Sequence, residues 1–176
     1  MISLLDLRTY PDLETVGEIS SLFDQRPHYK ALNSSMINAC IGCWTCWVKT
    51  PGKCIFTDAM SENYRNYINS EKVILLLDTA QGFINHTAKA FFDRTTPLYH
   101  PYIEIEDGEC HHKKRYEQYP ELYFYFDDTC LSQDETQVIE DYLYRTTTAS
   151  ERTCTVRNTS ARRKTTAPCR NAPQPA

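Results

Sequence analysis

An open α/β sheet, with parallel strands alternating with helices, is the fold class that this 176-residue sequence predicts. Three observations carry that expectation. "EKVILLLD" (71–78) is a continuous apolar run, as a parallel strand covered on both faces requires. Segments with apolar residues at helical spacing stand before and after it. A second strand-like run, "ELYFYFDD" (121–128), is followed by another helix signature, and right-handed crossovers join such units into one sheet.

Taken in order, Ile2 to Leu7 reads as a short buried strand. A helix then opens with Thr9 as N-cap and Pro11 in the first turn, and Leu13, Val16, Ile19, Leu22 and Phe23 fall on its inner face. Residues 29–38 read as a second strand leading into a cysteine-rich loop. "DAMSENYRNYIN" predicts a helix with Met60, Tyr64, Tyr67 and Ile68 on one side. After the strong strand, Ile84, Ala88, Phe91 and Phe92 mark a further amphipathic helix. Ser132 and Glu135 form a capping-box signature for a last helix running to about Arg145.

At Arg145 the composition changes. Residues 146–176 hold eight threonines, three prolines, no aromatic residue and Val156 as the one large aliphatic side chain. Such a segment buries too little apolar surface to offset the entropy of ordering it. The sequence therefore divides into a domain at 1–145 and a Thr/Arg-rich tail at 146–176, expected to be disordered apart from one weak strand near Cys154 to Arg157. The sheet is accordingly expected to be incomplete at its C-terminus.

Charge divides the chain at the same place. The tail has six basic residues against one acid, a net of +5, and the rest has thirteen against twenty-two, a net of −9; the sum is the overall −4. An acidic body repels polyanions, so neither nucleic acid nor a membrane surface is an expected partner. The longest aliphatic run, Val73 to Leu77, is far short of the roughly 20 residues that span a bilayer. "MISLLDL" meets an acid at Asp6 without a basic lead, so no signal peptide is expected. The expected compartment is the cytoplasm, where thiols stay reduced and clustered cysteines serve as ligands or redox groups.

"CIGCWTCWVKTPGKC" (40–54) is the most informative stretch. Cys40, Cys43 and Cys46 stand at successive x2 intervals, and Cys54 follows after seven residues. Thiolates so spaced can wrap one part of a compact cubic cluster, with a fourth returning from farther along. Pro51-Gly52 marks the turn that would bring Cys54 back, and Trp44 and Trp47 could shield the group from water. A [4Fe–4S] cluster fits this pattern. Zinc, which more often takes two separated pairs, a Cys43–Cys46 redox dithiol, and a loop of unliganded cysteines are the other readings.

"ACIGCWTCWVKTPGKCIFTDAM", "EKVILLLDT", "AKAFFDRTTPLYHPY" and "GECHHKKRYEQYP" together resemble the flavodoxin-like NAD(P)H-dependent FMN reductases and their iron–sulfur flavoprotein relatives. The resemblance extends over about residues 1–145. It implies a flavodoxin-like open parallel sheet with helices on both faces, FMN at the carboxyl ends of the strands, and a homodimer. NAD(P)H would be the electron donor, and a small molecule or a protein the acceptor. Carried onto this chain, Cys40, Cys43, Cys46 and Cys54 would be the cluster ligands. Arg8, Thr9, Thr79, Gln81, Gly82 and Phe83 would contact FMN.

The family's glycine-bearing phosphate loop is replaced here by "DLRTYPDL", with Asp12 and Glu14 near the helix start. A second reading follows from that difference: a flavodoxin-like scaffold without FMN, acting as a non-catalytic interaction protein. Lesser candidates are His111 and His112 beside Cys110 and Glu109, the basic run Lys113 to Arg115, the tyrosines 99, 102, 116 and 119, and His86. Solvated loops, a dimer surface or an ordinary helix entry account for these. Nucleotide-loop, serine-hydrolase and zincin motifs do not occur.

Overall fold

In the structure, a computed structural model that describes residues 1–106, 108–147 and 154–158, five parallel strands form one sheet. They are β1 (Ile2–Asp6), β2 (His28–Ala31), β3 (Lys72–Leu76), β6 (Glu121–Phe126) and β7 (Cys154–Asn158), in the order β2-β1-β3-β6-β7. Between β3 and β6 an antiparallel hairpin is inserted, made of β4 (Tyr99–Glu106) and β5 (Glu109–Lys114). The helices are α1 (Leu13–Ser20), α2 (Thr45–Val48), α3 (Ala59–Asn69), α4 (His86–Asp93) and α5 (Gln133–Thr147).

Chain direction decides which face each helix covers. The step from β1 to β2 runs one way across the sheet, and the steps from β2 to β3, β3 to β6 and β6 to β7 run the other. Right-handed crossovers therefore place α1 on one face and α3, α4 and α5 on the opposite one. Strand side chains alternate to match. Leu5, Val73, Leu75, Leu122, Phe124 and Phe126 pack with Met60, Tyr67, Ala88, Phe91, Ile139 and Leu143. Ile2, Leu4, Ile74, Leu76 and Tyr125 pack with Val16 and Ile19. Fully burying one such aliphatic side chain contributes about 1.5–3 kcal/mol, so the two apolar faces of β3 fix it at the centre.

Several sequence expectations need correction. The cap of α1 is Asp12, whose side chain accepts from the Thr15 amide; Thr9 lies outside the helix. The helix is correspondingly short, and Leu13 and Leu22 are exposed. The second strand spans only four residues. His111 and His112 sit in β5 and not in a solvated loop. Asp107-Gly108 between alternating apolar and polar residues is a strong hairpin signal that the sequence reading passed over; Gly108 takes the positive φ of 83° that such a turn needs.

The capping box of α5 forms as expected, with Glu135 accepting from the Ser132 amide at 2.7 Å and Ser132 Oγ accepting from the Glu135 amide at 3.2 Å. The expected weak strand near Cys154 coincides with β7, which pairs in parallel with β6 as the fifth strand, so the sheet expected to be incomplete after residue 145 draws its last strand from the tail. The other expectations for the tail after residue 147 lie outside the described residues.

Candidate functional site

The cysteine loop connects β2 to α3 and is built on a tight backbone. Gly42 adopts φ 63°, and Trp44, at the start of the single-turn helix α2, adopts φ 59°. Left-handed backbone at a bulky residue costs on the order of 1–3 kcal/mol and persists only where the surroundings hold it. Trp47 supplies part of that hold. Its indole N–H donates to the carbonyls of Thr96 and Tyr99, at 3.1 and 3.0 Å, and its ring lies against Trp44 and His112, with centroids 5.0 and 4.8 Å away. The turn at Gly52, where φ is 83°, is closed by the Gly52 amide donating to Cys46 O at 3.0 Å. This turn returns the chain so that Cys54 joins the other cysteines.

Cys40, Cys43, Cys46 and Cys54 are free thiols that line one cavity of about 110 Å³. Ile55, Phe56, Pro97, Asp93, Arg94 and Thr96 are among the other residues of its wall. Hydrogen bonds from the Thr45 hydroxyl and amide lower the pKa of Cys43. Burial, reinforced by the other three thiols, raises that of Cys46. Cys40, Cys43 and Cys54 thus each lie within electrostatic reach of Cys46. Among the described residues, no three or more His, Cys, Asp or Glu side chains are gathered into a site for a single metal ion. The donor chemistry, four thiols round one apolar-walled cavity, fits an iron–sulfur cluster, whose ligands each hold a different iron.

Arg94, which the sequence reading did not single out as a site residue, stands in the wall of this cavity with 1% of its side chain exposed. Its Nη1 donates to Asp58 Oδ2 at 2.9 Å and to Asn38 O at 2.7 Å, and its Nη2 donates to Asp58 Oδ1 at 2.9 Å. The Phe56 ring lies 5.2 Å from the guanidinium carbon. Burial alone would raise the Asp58 pKa, but hydrogen bonds from Arg94 and from the Asn38 amides hold it well below the usual carboxylate range. The one available signal in sequence was an arginine ending an otherwise apolar helix face, in "AKAFFDR".

The expected flavin contacts are arranged differently. Arg8 is engaged by its own chain: Nε and Nη2 donate to the two oxygens of Asp6 at 2.9 and 2.7 Å, and Nη1 donates to Asp12 Oδ2 at 2.9 Å. The Thr9 amide donates to Asp78 Oδ2 at 3.3 Å. The donors that would cradle a phosphate are thus satisfied by Asp6, Asp12 and Asp78, and the added negative charge opposes a phosphate there.

Thr79 is buried and donates its hydroxyl to Asp127 O at 2.8 Å, while Phe83 packs edge-on against Tyr142 with centroids 5.1 Å apart. A Cβ at Gly82 would stand 2.7 Å from Glu135 Oε1, so that backbone is already approached by a side chain of α5. Gln81 is exposed. Asn85 draws the two loops together, donating to Leu7 O at 2.8 Å. Neither loop contributes to the wall of the cysteine cavity. The residues present do not fit the phosphate end of FMN.

Of the lesser candidates, Tyr99 and Tyr119 stack with centroids 5.2 Å apart, and the Tyr119 hydroxyl donates to Leu98 O, so both serve the base of the hairpin. Arg115 donates to Pro97 O and Tyr99 O there, at 3.0 and 3.1 Å. His86 is the exposed first residue of α4.

Fold and site together define an α/β protein with a parallel sheet and a thiol-lined cavity on the face covered by three helices. Compared with known proteins, the chain matches no family model and no curated protein. No described helix is long and apolar enough to cross a membrane.

Proposed function

We propose that this chain is a flavodoxin-like electron-transfer protein whose redox group is a [4Fe–4S] cluster on Cys40, Cys43, Cys46 and Cys54. One observation carries the reading: four free thiols from a fifteen-residue loop surround a single cavity. The strand order supports the flavodoxin-like part. With the hairpin set aside, it is the 2-1-3-4-5 order of a doubly wound sheet. When bound, such a cluster supplies one-electron chemistry. The chain's own part is to hold four thiolates, to shelter them with Trp44, Ile55 and Phe56, and to present the loop's exposed side to a protein or small-molecule acceptor in the cytoplasm. Tyr102, Ile103 and Ile105, exposed on β4, are the apolar surface this reading offers to a homodimer.

The engagement of Arg8 by Asp6 and Asp12 favours a second reading in which FMN, and with it NAD(P)H oxidation, is absent and the fold serves as a non-catalytic scaffold. Anaerobic purification, a visible spectrum, and assays of iron, acid-labile sulfide and flavin separate the two. The cluster reading expects about four irons and four sulfides per chain, with broad absorbance near 400 nm, after reconstitution. A chain that takes up neither iron nor sulfide would leave the scaffold reading. Bound flavin would show that the acidic loop at 6–12 opens to admit a phosphate.

A further inference from the structure

Among the buried side-chain atoms without a hydrogen-bond partner is Nε of Arg94. Orphaned buried donors are rare, because leaving one unpaired costs about 1–3 kcal/mol. This one belongs to a guanidinium that is otherwise held firmly. Its Nη atoms are taken by Asp58 and Asn38, neither of which lines the cysteine cavity, whereas Arg94 itself does. A side chain so clamped cannot turn to find another partner for Nε–H.

Cys54 shares the cavity wall with Arg94, and Tyr64 steadies the arginine from behind, its hydroxyl donating to Arg94 O at 2.6 Å. Asp58 balances the charge of Arg94, so what the arginine offers the cavity is an oriented N–H dipole and not a net charge.

We propose that Arg94 is a positioning residue for the thiol-lined cavity, its Nε–H donating to a sulfur of the group bound there and favouring that group's more reduced, more negative state. The proposal rests on the cluster reading above and adds a means of setting its potential, since hydrogen bonds to cluster and ligand sulfurs raise reduction potentials. Asp58 and Asn38 serve it by fixing the orientation of the guanidinium.

The test uses the full chain, reconstituted anaerobically with ferrous iron and sulfide, and a dithionite titration followed by electron paramagnetic resonance. The double variant Asp58→Asn with Arg94→Gln replaces the buried ion pair by a neutral amide pair and removes the Nε–H without stranding a charge. Arg94→Lys keeps the charge and removes the planar fork. In the double variant, the iron and sulfide content should match the wild type. The potential should become more negative by the equivalent of about a tenfold change in the one-electron equilibrium, about 59 mV.

A measurement on the wild type needs no variant at all: with ¹⁵N-labelled arginine, solvent exchange of the Arg94 Nε–H should slow once the cluster is assembled. An unchanged potential in folded variants, or an unchanged exchange rate in the wild type, overturns the role of Arg94 while leaving the cluster reading in place. A wild-type chain that binds no iron or sulfide overturns both.

Discussion

Arg94 and Asp58 join the end of α4 to the N-cap of α3 through two parallel hydrogen bonds of 2.9 Å, one from each terminal nitrogen to each carboxylate oxygen. Asp58 is at the same time the cap of α3, accepting from the Met60 amide at 3.1 Å and forming a capping box with Ser61. One carboxylate thus fixes a helix start, a helix end and the wall of the cysteine cavity. Removing it by Asp58→Ala strands a buried guanidinium, and about 3–5 kcal/mol of stability should be lost. Urea denaturation followed by far-UV circular dichroism measures this. The neutral pair made by Asp58→Asn with Arg94→Gln should lose clearly less.

Acid should undo the same contact. The Asp58 pKa is depressed in the folded chain below its ordinary value of 3.8, so the unfolded chain takes up the proton first as pH falls. The stabilisation is fully present well above pH 3.8 and declines below it, down to the folded-state pKa. Stability measured between pH 6 and 2.5 should fall on the acid side, and Asp58→Asn should flatten that limb. An equally steep acid limb in the variant would assign the loss to other carboxylates.

Gly82 is favoured by its backbone conformation, and a side chain there would also displace the carboxylate end of Glu135. The glycine's φ is 79°, and a methyl group there would meet Glu135 at 2.7 Å. Gly82→Ala should cost about 1–3 kcal/mol. Adding Glu135→Ala removes the clash but not the backbone strain, so a double-mutant cycle read by chemical denaturation should show positive coupling between the two sites.

Trp47→Phe keeps an aromatic ring between Trp44 and His112 but deletes the N–H shared by Thr96 O and Tyr99 O. A loss of about 0.5–1.5 kcal/mol is expected. Because Trp47 anchors the loop and is not a thiol, iron uptake on reconstitution should survive. Loss of uptake in a folded variant would show that the anchor also shapes the cavity.

At the α1 entry, Asp12→Asn should leave the helix cap intact, since Asn and Asp cap about equally well. The change removes one of the two carboxylates that hold Arg8. Titration of FMN against the wild type should leave flavin fluorescence unquenched at micromolar protein. Quenching by the wild type would show that the Arg8 contacts give way to a phosphate.

Much of the architecture was legible because it depends on short-range rules. The run Val73 to Leu77 had to lie between two apolar layers, and Met60, Tyr67, Ala88 and Phe91 recur at helical spacing. Ser132 and Glu135 marked their helix start to the residue. Cap identity at α1 was less legible, because Thr9 and Asp12 are both good caps. The choice fell to Asp12, which bonds Thr15 and Arg8 together. The hairpin at β4–β5 was legible in Asp107-Gly108 and was missed because two adjacent histidines drew the interpretation towards a loop.

For the site, the sequence by itself determined the number, spacing and kind of donors: four thiols, a returning turn at Gly52, and two tryptophans beside them. Tertiary structure alone decided what surrounds them. Arg94 follows Cys54 by forty residues, and only the packing of α4 against α3 brings it into the same wall. At the α1 entry Arg8 is held by its near neighbours Asp6 and Asp12, and the fold adds Asp78, which accepts from the Thr9 amide across the sheet. Local spacing is set by covalent geometry, whereas pairing of buried charges is set by which groups folding removes from water together.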